Sequence, residues 1–288
     1  MTDPTRALQG TSTRGLLLAT ALGAVLVVAS SLNCMAEAKT AQEPRKLASF
    51  SKVTANGSSD VYIKVGPKQS VVVHAEDDEL DQIRTEVRNG KLKIWRESRG
   101  RGFGNHSAHV VITVPALTRL ESNGSGDAEV ENMKAKEFTL VQQGSGDVTI
   151  DGSCDEIDIT SQGSGDLESS KLLCGQVEVR LRGSGDMDLD HVKSTRIELD
   201  AVGSGDVTMK GTCKALDVHN MASGDVDARR LECQSVSVKA AGSGDIRVFA
   251  TTTVAIEVHG SGDVEVYGGG HAEEISTSGS GHVRINKK

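Results

Sequence analysis

From residue 128 onward apolar and polar residues alternate in short bursts, and the bursts recur in one register. Val148 and Ile150, Met187 and Leu189, Val207 and Met209, Ile246 and Val248, and Val264 and Val266 stand one and three positions after an aspartate. Phe138 and Leu140, Ile157 and Ile159, Val177 and Val179, Ile197 and Leu199, Leu216 and Val218, and Val236 and Val238 stand nine and seven positions before one. Period-two alternation of aliphatic and β-branched residues predicts strands with one buried face. A glycine turn separates the bursts. GSGD occurs seven times, ending at Asp127, Asp147, Asp166, Asp186, Asp206, Asp245 and Asp263. Degenerate copies end at Asp60 (GSSD), Asp225 (ASGD) and His282 (GSGH), and the spacings from Asp127 to His282 are 20, 19, 20, 20, 19, 20, 18 and 19. Each period predicts two short strands joined by the glycine turn and by a second, more variable turn.

Such a unit cannot bury its inner face alone. Stacking coils about 4.8 Å apart closes a continuous core and pairs each strand with the coils above and below. The expected fold is all-β, a parallel β-solenoid of about 20-residue coils, and the crossover rule makes it right-handed. An antiparallel sandwich is the competing architecture, but it has no reason to repeat GSGD in a single register. The regular coils occupy 127–288. Residues 61–126 break the period, with an apolar strand, an acidic turn (EDDELDQI), a hairpin signal at Asn89-Gly90 and a loop from Arg96 to His109. They are expected to cap one end of a single domain spanning 48–288. Lys287 and Lys288 are expected to discourage strand pairing at the other end.

The first 38 residues read as a targeting segment. Arg6 and Arg14 precede sixteen uncharged residues, Gly15–Ser30, short for a bilayer span and typical of a signal peptide, with a cleavage site at Ala36-Glu37-Ala38. An uncleaved membrane anchor and lipidation at Cys34 are the competing outcomes. All three place the body outside the cytoplasm, in the periplasm or cell envelope or secreted, and any membrane attachment runs through this segment alone. Residues 39–47 read as a polar linker. The net charge of −8 excludes a phosphate-neutralising nucleic-acid binder, and 2% aromatic residues argue against a long sugar-stacking groove.

The sequence Phe50-Ser51-Lys52-Val53, the early GSSDV, NGKLKI, VVITVPAL and the tandem GSGDV together resemble the putative auto-transporter adhesin, head GIN domain family over about residues 48–286. The resemblance implies an exported bacterial solenoid, often tethered to the envelope. It carries no catalytic or ligand residues to transfer.

Two acidic ladders are the candidate chemistry. Stacking would align the motif aspartates, Asp127, Asp147, Asp166, Asp186, Asp206, Asp225, Asp245 and Asp263, in one row. Neighbouring carboxylates at that rise repel by roughly 1 kcal/mol in water, so something must compensate. One reading has each Asp accept N–H groups of its own Gly-Ser-Gly turn. The sharper reading is a cation row, with Ca²⁺ over Asp147, Asp166, Asp186, Asp206, Asp225 and Asp245, although the facing set of turns seen in nine-residue Ca²⁺ solenoids is missing. A second, outward stripe, Asp158, Glu178, Glu198 and Asp217, offers a divalent cation or a basic partner a surface, with Arg180 and Arg196 near enough to neutralise part of it.

Nothing points to catalysis. The eight His form no metal-ligand spacing, His106 and His109 merely share a loop, and the repeated turn serines are not nucleophile elbows. No cofactor is called for. The expected function is a non-enzymatic envelope module for adhesion or scaffolding, with a polysaccharide or protein as ligand. A polysaccharide lyase or hydrolase is the rival, and an envelope sensing role the third reading.

Cys154, Cys174, Cys213 and Cys233 each lie twelve residues before a motif Asp, where other coils place Ala135, Ser194, Thr251 and Gly270. Stacking therefore predicts Cys154–Cys174 and Cys213–Cys233 disulfides in an oxidising compartment. Buried free thiols are the alternative.

Overall fold

A computed structural model describes residues 40–97 and 108–286. The targeting segment with Cys34, most of the 96–109 loop with His106, and the terminal Lys287 and Lys288 lie outside the described residues. The chain forms a parallel β-solenoid of about eight turns with coils of about 20 residues. Its regular part comprises β9 (Ala128–Gly144), β10 (Val148–Ser161), β11 (Leu167–Ser169), β12 (Leu172–Leu181), β13 (Met187–Lys193), β14 (Arg196–Ala201), β15 (Val207–Asn220), β16 (Val226–Ala240), β17 (Ile246–Val258), β18 (Val264–Tyr267), β19 (His271–Thr277) and β20 (Val283–Ile285). Before it come β1 (Thr40–Pro44), β2 (Lys52–Gly57), β3 (Asp60–Val65), β4 (Ser70–Glu76), β5 (Ile83–Arg88), β6 (Lys91–Arg96), β7 (His109–Val114) and β8 (Arg119–Gly124).

Like residues stack on like. Ile157 of β10 faces Phe138 on one side and Val177 on the other, and Ile159 lies between Leu140 and Val179. These side chains are all buried and belong to one continuous core. Several strands run straight through the second corner, where the chain bends without leaving the ladder. That corner takes a left-handed residue five positions after the motif Asp: Asn132 (φ 56°), His191 (φ 50°) and Gly211 (φ 138°). The expected break into two short strands is thus replaced in β9, β10, β15, β16 and β17 by one bent strand with a local register shift.

The glycine turn is held to Gly by crowding. A Cβ on Gly163 or Gly183 would stand 1.9 Å from the carbonyl oxygen of the glycine one coil below, and one on Gly165 would stand 2.2 Å from the Gly146 oxygen. Neither Gly163 nor Gly183 has a left-handed backbone, so the demand is for space and not for an unusual φ. The turn serines donate their N–H to the first glycine carbonyl below, as in Ser164 to Gly144 at 2.9 Å.

The N-terminal cap is threaded out of sequence order. β2 pairs in parallel with β6 on one side and β8 on the other, and β3 likewise with β7 and β9. The coil 52–65 therefore sits between the layer 91–114 and the first regular coil, and Asp60 lies directly beneath Asp127 despite the 67 residues between them. Antiparallel strands then close this end, β5 against β6 and β4 against β7. The hairpin turns at Asn89 and Gly90 with φ of 51° and 70°, the positive pair that a two-residue hairpin requires. The acidic stretch before it contains a 3₁₀ turn at Leu80–Gln82.

Within the expected linker, residues 40–45 are bonded to the cap. Thr40–Pro44 form β1, antiparallel to β4, and the Arg45 side chain donates to Leu80 O at 2.9 Å. TAQEP has no apolar alternation because its pairing is entirely backbone, and Pro44 suits an edge strand.

Glu121 ties the layers of the cap together. On β8, it accepts bonds from Arg119 (2.6 Å), from Thr54 of β2 (2.8 Å) and from Lys91 of β6 (3.2 Å). Partial burial alone would raise its pKa, but the Arg119, Thr54 and Lys91 bonds outweigh that and hold it at about 2. A carboxyl depressed on folding stabilises fully above its unfolded pKa and loses that contribution as pH falls through the folded one. Glu121→Gln is therefore expected to flatten the acid limb of stability against pH between about 4.5 and 2, without altering the slope at neutral pH. Denaturant midpoints measured across that range check it.

Both disulfides form as the spacing predicts. Cys154–Cys174 and Cys213–Cys233 each join adjacent coils with Cα atoms 4.5 Å apart, inside the range a bridge allows. The corner column is less regular than the spacing implied. Ala250, not Thr251, stacks on Cys233, because β17 is short of residues there, and the Gly270 N–H donates to Ala250 O at 2.9 Å. Closing a loop of about 20 residues contributes roughly 3 kcal/mol per bridge on the chain-entropy account. Non-reducing peptide mapping is expected to recover these two pairs and no other. Reduction is expected to lower stability by about that amount per bridge, most strongly for amide-exchange protection in the coils from Cys154 to Ala250.

Candidate functional site

The motif aspartates stack in one row and bind the coil above. Each Asp Oδ1 accepts the backbone N–H of the next motif residue: Asp60 from Asp127 (3.0 Å), Asp127 from Asp147 (2.9 Å), Asp147 from Asp166 (2.8 Å), and so on to Asp263 from His282 (2.9 Å). Nine rungs run unbroken over ten turns. The donor is thus the neighbouring coil and not the residue's own turn, which corrects the expectation above. The reason lies in the backbone. Where the chain swings from turn into strand, the Asp carbonyl accepts the N–H that follows the Asp below, as Val148 N–H to Asp166 O at 2.8 Å. The Asp N–H is left without a main-chain acceptor, and the carboxylate oxygen fills that place.

This arrangement also handles the row of like charges. The carboxylates are solvent-facing, each takes one N–H, and Arg247 lies 3.6 Å from Asp225 and 3.4 Å from Asp245. The N–H of His282 holds the Asp263 carboxyl below the usual carboxylate range.

The second stripe also stacks as expected, Asp158 opposite Glu178, Glu178 opposite Glu198, and Glu198 opposite Asp217. Arginines clamp it. Arg180 bonds both Asp158 (2.9 Å) and Glu178, while Arg196 reaches Asp217 at 2.6 Å and Glu198 at 4.0 Å. Thr139 and Ser237 bound the acidic run below and above. The adjacent outward column reads Arg180, Asp200, His219, Lys239, Glu257, with signs mixed along the coils. Among the described residues no three His, Cys, Asp or Glu side chains gather where a metal ion could be held.

Two arrangements escaped the sequence reading. His74 and His109 face each other across β4 and β7 with rings stacked 4.5 Å apart; burial and the neighbouring His74 push the His109 pKa down. No spacing signals this pair, because it meets only through the antiparallel cap. Near the C-terminal end, Arg229, Arg230, Phe249 and Tyr267 border a cleft of about 690 Å³. Its sequence signal is the single 18-residue spacing, between Asp245 and Asp263.

The ladder discriminates between two substitutions. Asp186→Asn keeps an oxygen that can accept the Asp206 N–H and is expected to change stability little. Asp186→Ala removes that acceptor and is expected to cost about 1 kcal/mol, with faster amide exchange at Asp206. A carboxylate row that works as a hydrogen-bond ladder needs no cation, so millimolar Ca²⁺ is expected to move the melting temperature by no more than about two degrees, where a ligand at 100 times its Kd would add about 2.7 kcal/mol. Calorimetry on the three proteins checks both points.

Residues 49–172 and 170–270 match the model of the family described as "Putative auto-transporter adhesin, head GIN domain". Solved structures share the architecture. A protein described as a putative adhesin from Parabacteroides merdae ATCC 43184 superposes with a TM-score of 0.68 at 14% identity, over 87% of this chain and 98% of its own. A putative lipid binding protein from Parabacteroides distasonis ATCC 8503 gives 0.65 at 21% identity, over 87% and 98%. A putative adhesin from the same organism gives 0.64 at 18% identity, again over 87% and 98%. At such identities the likeness is one of fold. No curated protein sequence matches this chain. With the glycine-aspartate turns stacked in register and the family model matching twice in succession, the chain belongs to the putative auto-transporter adhesin, head GIN domain family.

Proposed function

We propose that the protein is an exported, envelope-associated, non-enzymatic β-solenoid that binds a surface ligand, polysaccharide or protein, through its rigid side-chain columns. The observation that carries this reading is the stacked outward face. Asp158, Glu178, Glu198 and Asp217, beside the mixed column from Arg180 to Glu257, hold fixed positions one coil apart. Such a surface presents a repeating charge pattern without ordering any flexible loop, so little conformational entropy is lost when a partner docks. Membership of an adhesin-like family supports the same reading. The two disulfides support an oxidising, extracytoplasmic location.

Catalysis asks for something different, a nucleophile, acid or base converging within about 3 Å of a reacting atom. The columns here run parallel instead. The exported protein, immobilised and presented with acidic and neutral polysaccharides and with envelope proteins, is expected to bind at least one saturably and to release no cleaved fragment. Fragments whose release is abolished by a single Asp substitution would overturn this reading in favour of a carbohydrate-active enzyme.

A further inference from the structure

The register shifts between coils are of one residue except where β16 meets β17, and the three-residue shift there leaves a ledge. Ala228 of β16 pairs with Val248 of β17, and the next pair is Glu232 with Phe249. Arg229, Arg230 and Leu231 therefore have no opposite number in the coil above, although Arg230 and Leu231 stack normally on Lys210 and Gly211 below. Three residues go unmatched here and one is regained between Cys233–Ala250 and Ser235–Thr253, which leaves the two-residue deficit of the 18-residue coil. Leu231 turns into the core, and the two arginines are left exposed at the step.

Above the step stand two of the chain's few aromatic side chains. Phe249 and Tyr267 occupy the same column in successive coils, both half-buried. Gly268 and Gly269 follow, and with the arginines and aromatics they line the cleft of about 690 Å³. Gly269 has open space where a Cβ would lie, so bare backbone forms part of the wall. A smaller hollow of about 120 Å³ continues past the same arginines toward Thr208 and Lys210.

The charge here is inverted relative to the whole chain. Arg229 is paired with Asp227 at 2.9 Å, Lys210 with Asp190 at 2.7 Å, and Arg284 with Glu265 at 2.6 Å. Tyr267 donates its hydroxyl to that same Glu265 at 2.8 Å. Asp190, Asp227 and Glu265 are therefore engaged, whereas Arg230 and Glu232, the latter opposite Phe249 in the ladder, have no ion pair among the described residues. A guanidinium free to make a bidentate contact suits a carboxylate or a phosphate. Apolar aromatic surface beside it suits the carbon-hydrogen face of a sugar ring, and the volume is that of a small-ligand site.

We propose that this ledge is a binding site for an acidic saccharide, a uronate whose carboxylate meets Arg230 and whose ring packs on Phe249 and Tyr267. The hollow beyond lets the chain of sugars continue along the step. The assignment rests on the surface-binding reading and places one ligand contact on it.

Calorimetric titration of the exported protein with trigalacturonate tests it, alongside the neutral methyl ester of that trimer and inorganic phosphate. Trigalacturonate is expected to bind, and its ester to bind at least about tenfold more weakly. Arg230→Gln and Tyr267→Ala are each expected to weaken trigalacturonate by about tenfold or more while both disulfides and the melting temperature are kept. Absence of trigalacturonate binding, equal binding of the ester, binding unchanged in Arg230→Gln, or phosphate binding as tightly as the trimer each overturns the proposal. The two readings fail separately. Saturable binding to the polysaccharide and protein panel, with trigalacturonate not bound or bound equally by Arg230→Gln, removes only the ledge, whereas no binding to any member of the panel removes the surface-binding reading itself.

Discussion

The close approach of one turn to the next governs this molecule. Coils stack at the spacing of hydrogen-bonded strands, and at the glycine turn that spacing leaves no room for a side chain. A Cβ on Gly183 would fall 1.9 Å from the oxygen beneath it. Removing Cβ solves the crowding but leaves a bare backbone bend whose amides need partners. Ser and Asp supply two of the solutions, the serine N–H bonding the glycine carbonyl below and the Asp Oδ1 taking the next Asp N–H. The glycines and the aspartate of the repeat thus answer demands set by stacking, while the bond at the serine position is made by the backbone alone. The disulfides exploit the same geometry, since two cysteines at one corner of adjacent coils are brought to 4.5 Å between Cα atoms by the stacking itself.

Stacking also explains why the outer surface is free to vary. Backbone ladders and a two-sided aliphatic core carry the cohesion, so outward positions in the strands answer only to their column neighbours. Like charges one coil apart would repel, and the observed remedy is local. Arg180 and Arg196 lie across the acidic stripe, and Arg247 across two rungs of the aspartate row. A solenoid of this kind is a scaffold on which charge can be written column by column, at small cost to the fold.

How much of this was legible depended on whether the information was periodic. The coil, the inward residues from Phe138 to Val266, the acidic columns and the cysteine pairing follow from register alone. The hairpin at Asn89-Gly90 was legible because a two-residue turn has local chemistry. The insertion of coil 52–65 between 91–114 and 119–131 was not, since nothing local to Val53 or Val61 distinguishes pairing with the next segment from pairing with one 67 residues away. β1 was missed because an edge strand held by main-chain bonds to β4 needs no apolar alternation. The direction of the Asp bond was missed for a related reason. A turn motif invites a reading within the turn, while the unpaired amide belongs to the coil above.

The same logic says where a periodic protein can hold something specific. In an unbroken stack every turn covers the one below, and a pocket at one coil would be filled by the equivalent residue of the next. A coil that loses residues at one corner uncovers its neighbour there, while the glycine turn and the leg preceding it stay in register. The coil of β17 does this. Val254 and Ile256 still stack on Val236 and Val238, yet nothing lies opposite Arg229 and Arg230. The core and the aspartate row pass the defect intact, with Asp263 N–H still bonded to Asp245 at 2.9 Å. A deletion that would disrupt most folds is absorbed at a corner, because each coil needs only its two neighbours. Concavity and an arginine without an ion pair then arise together at one level of the stack.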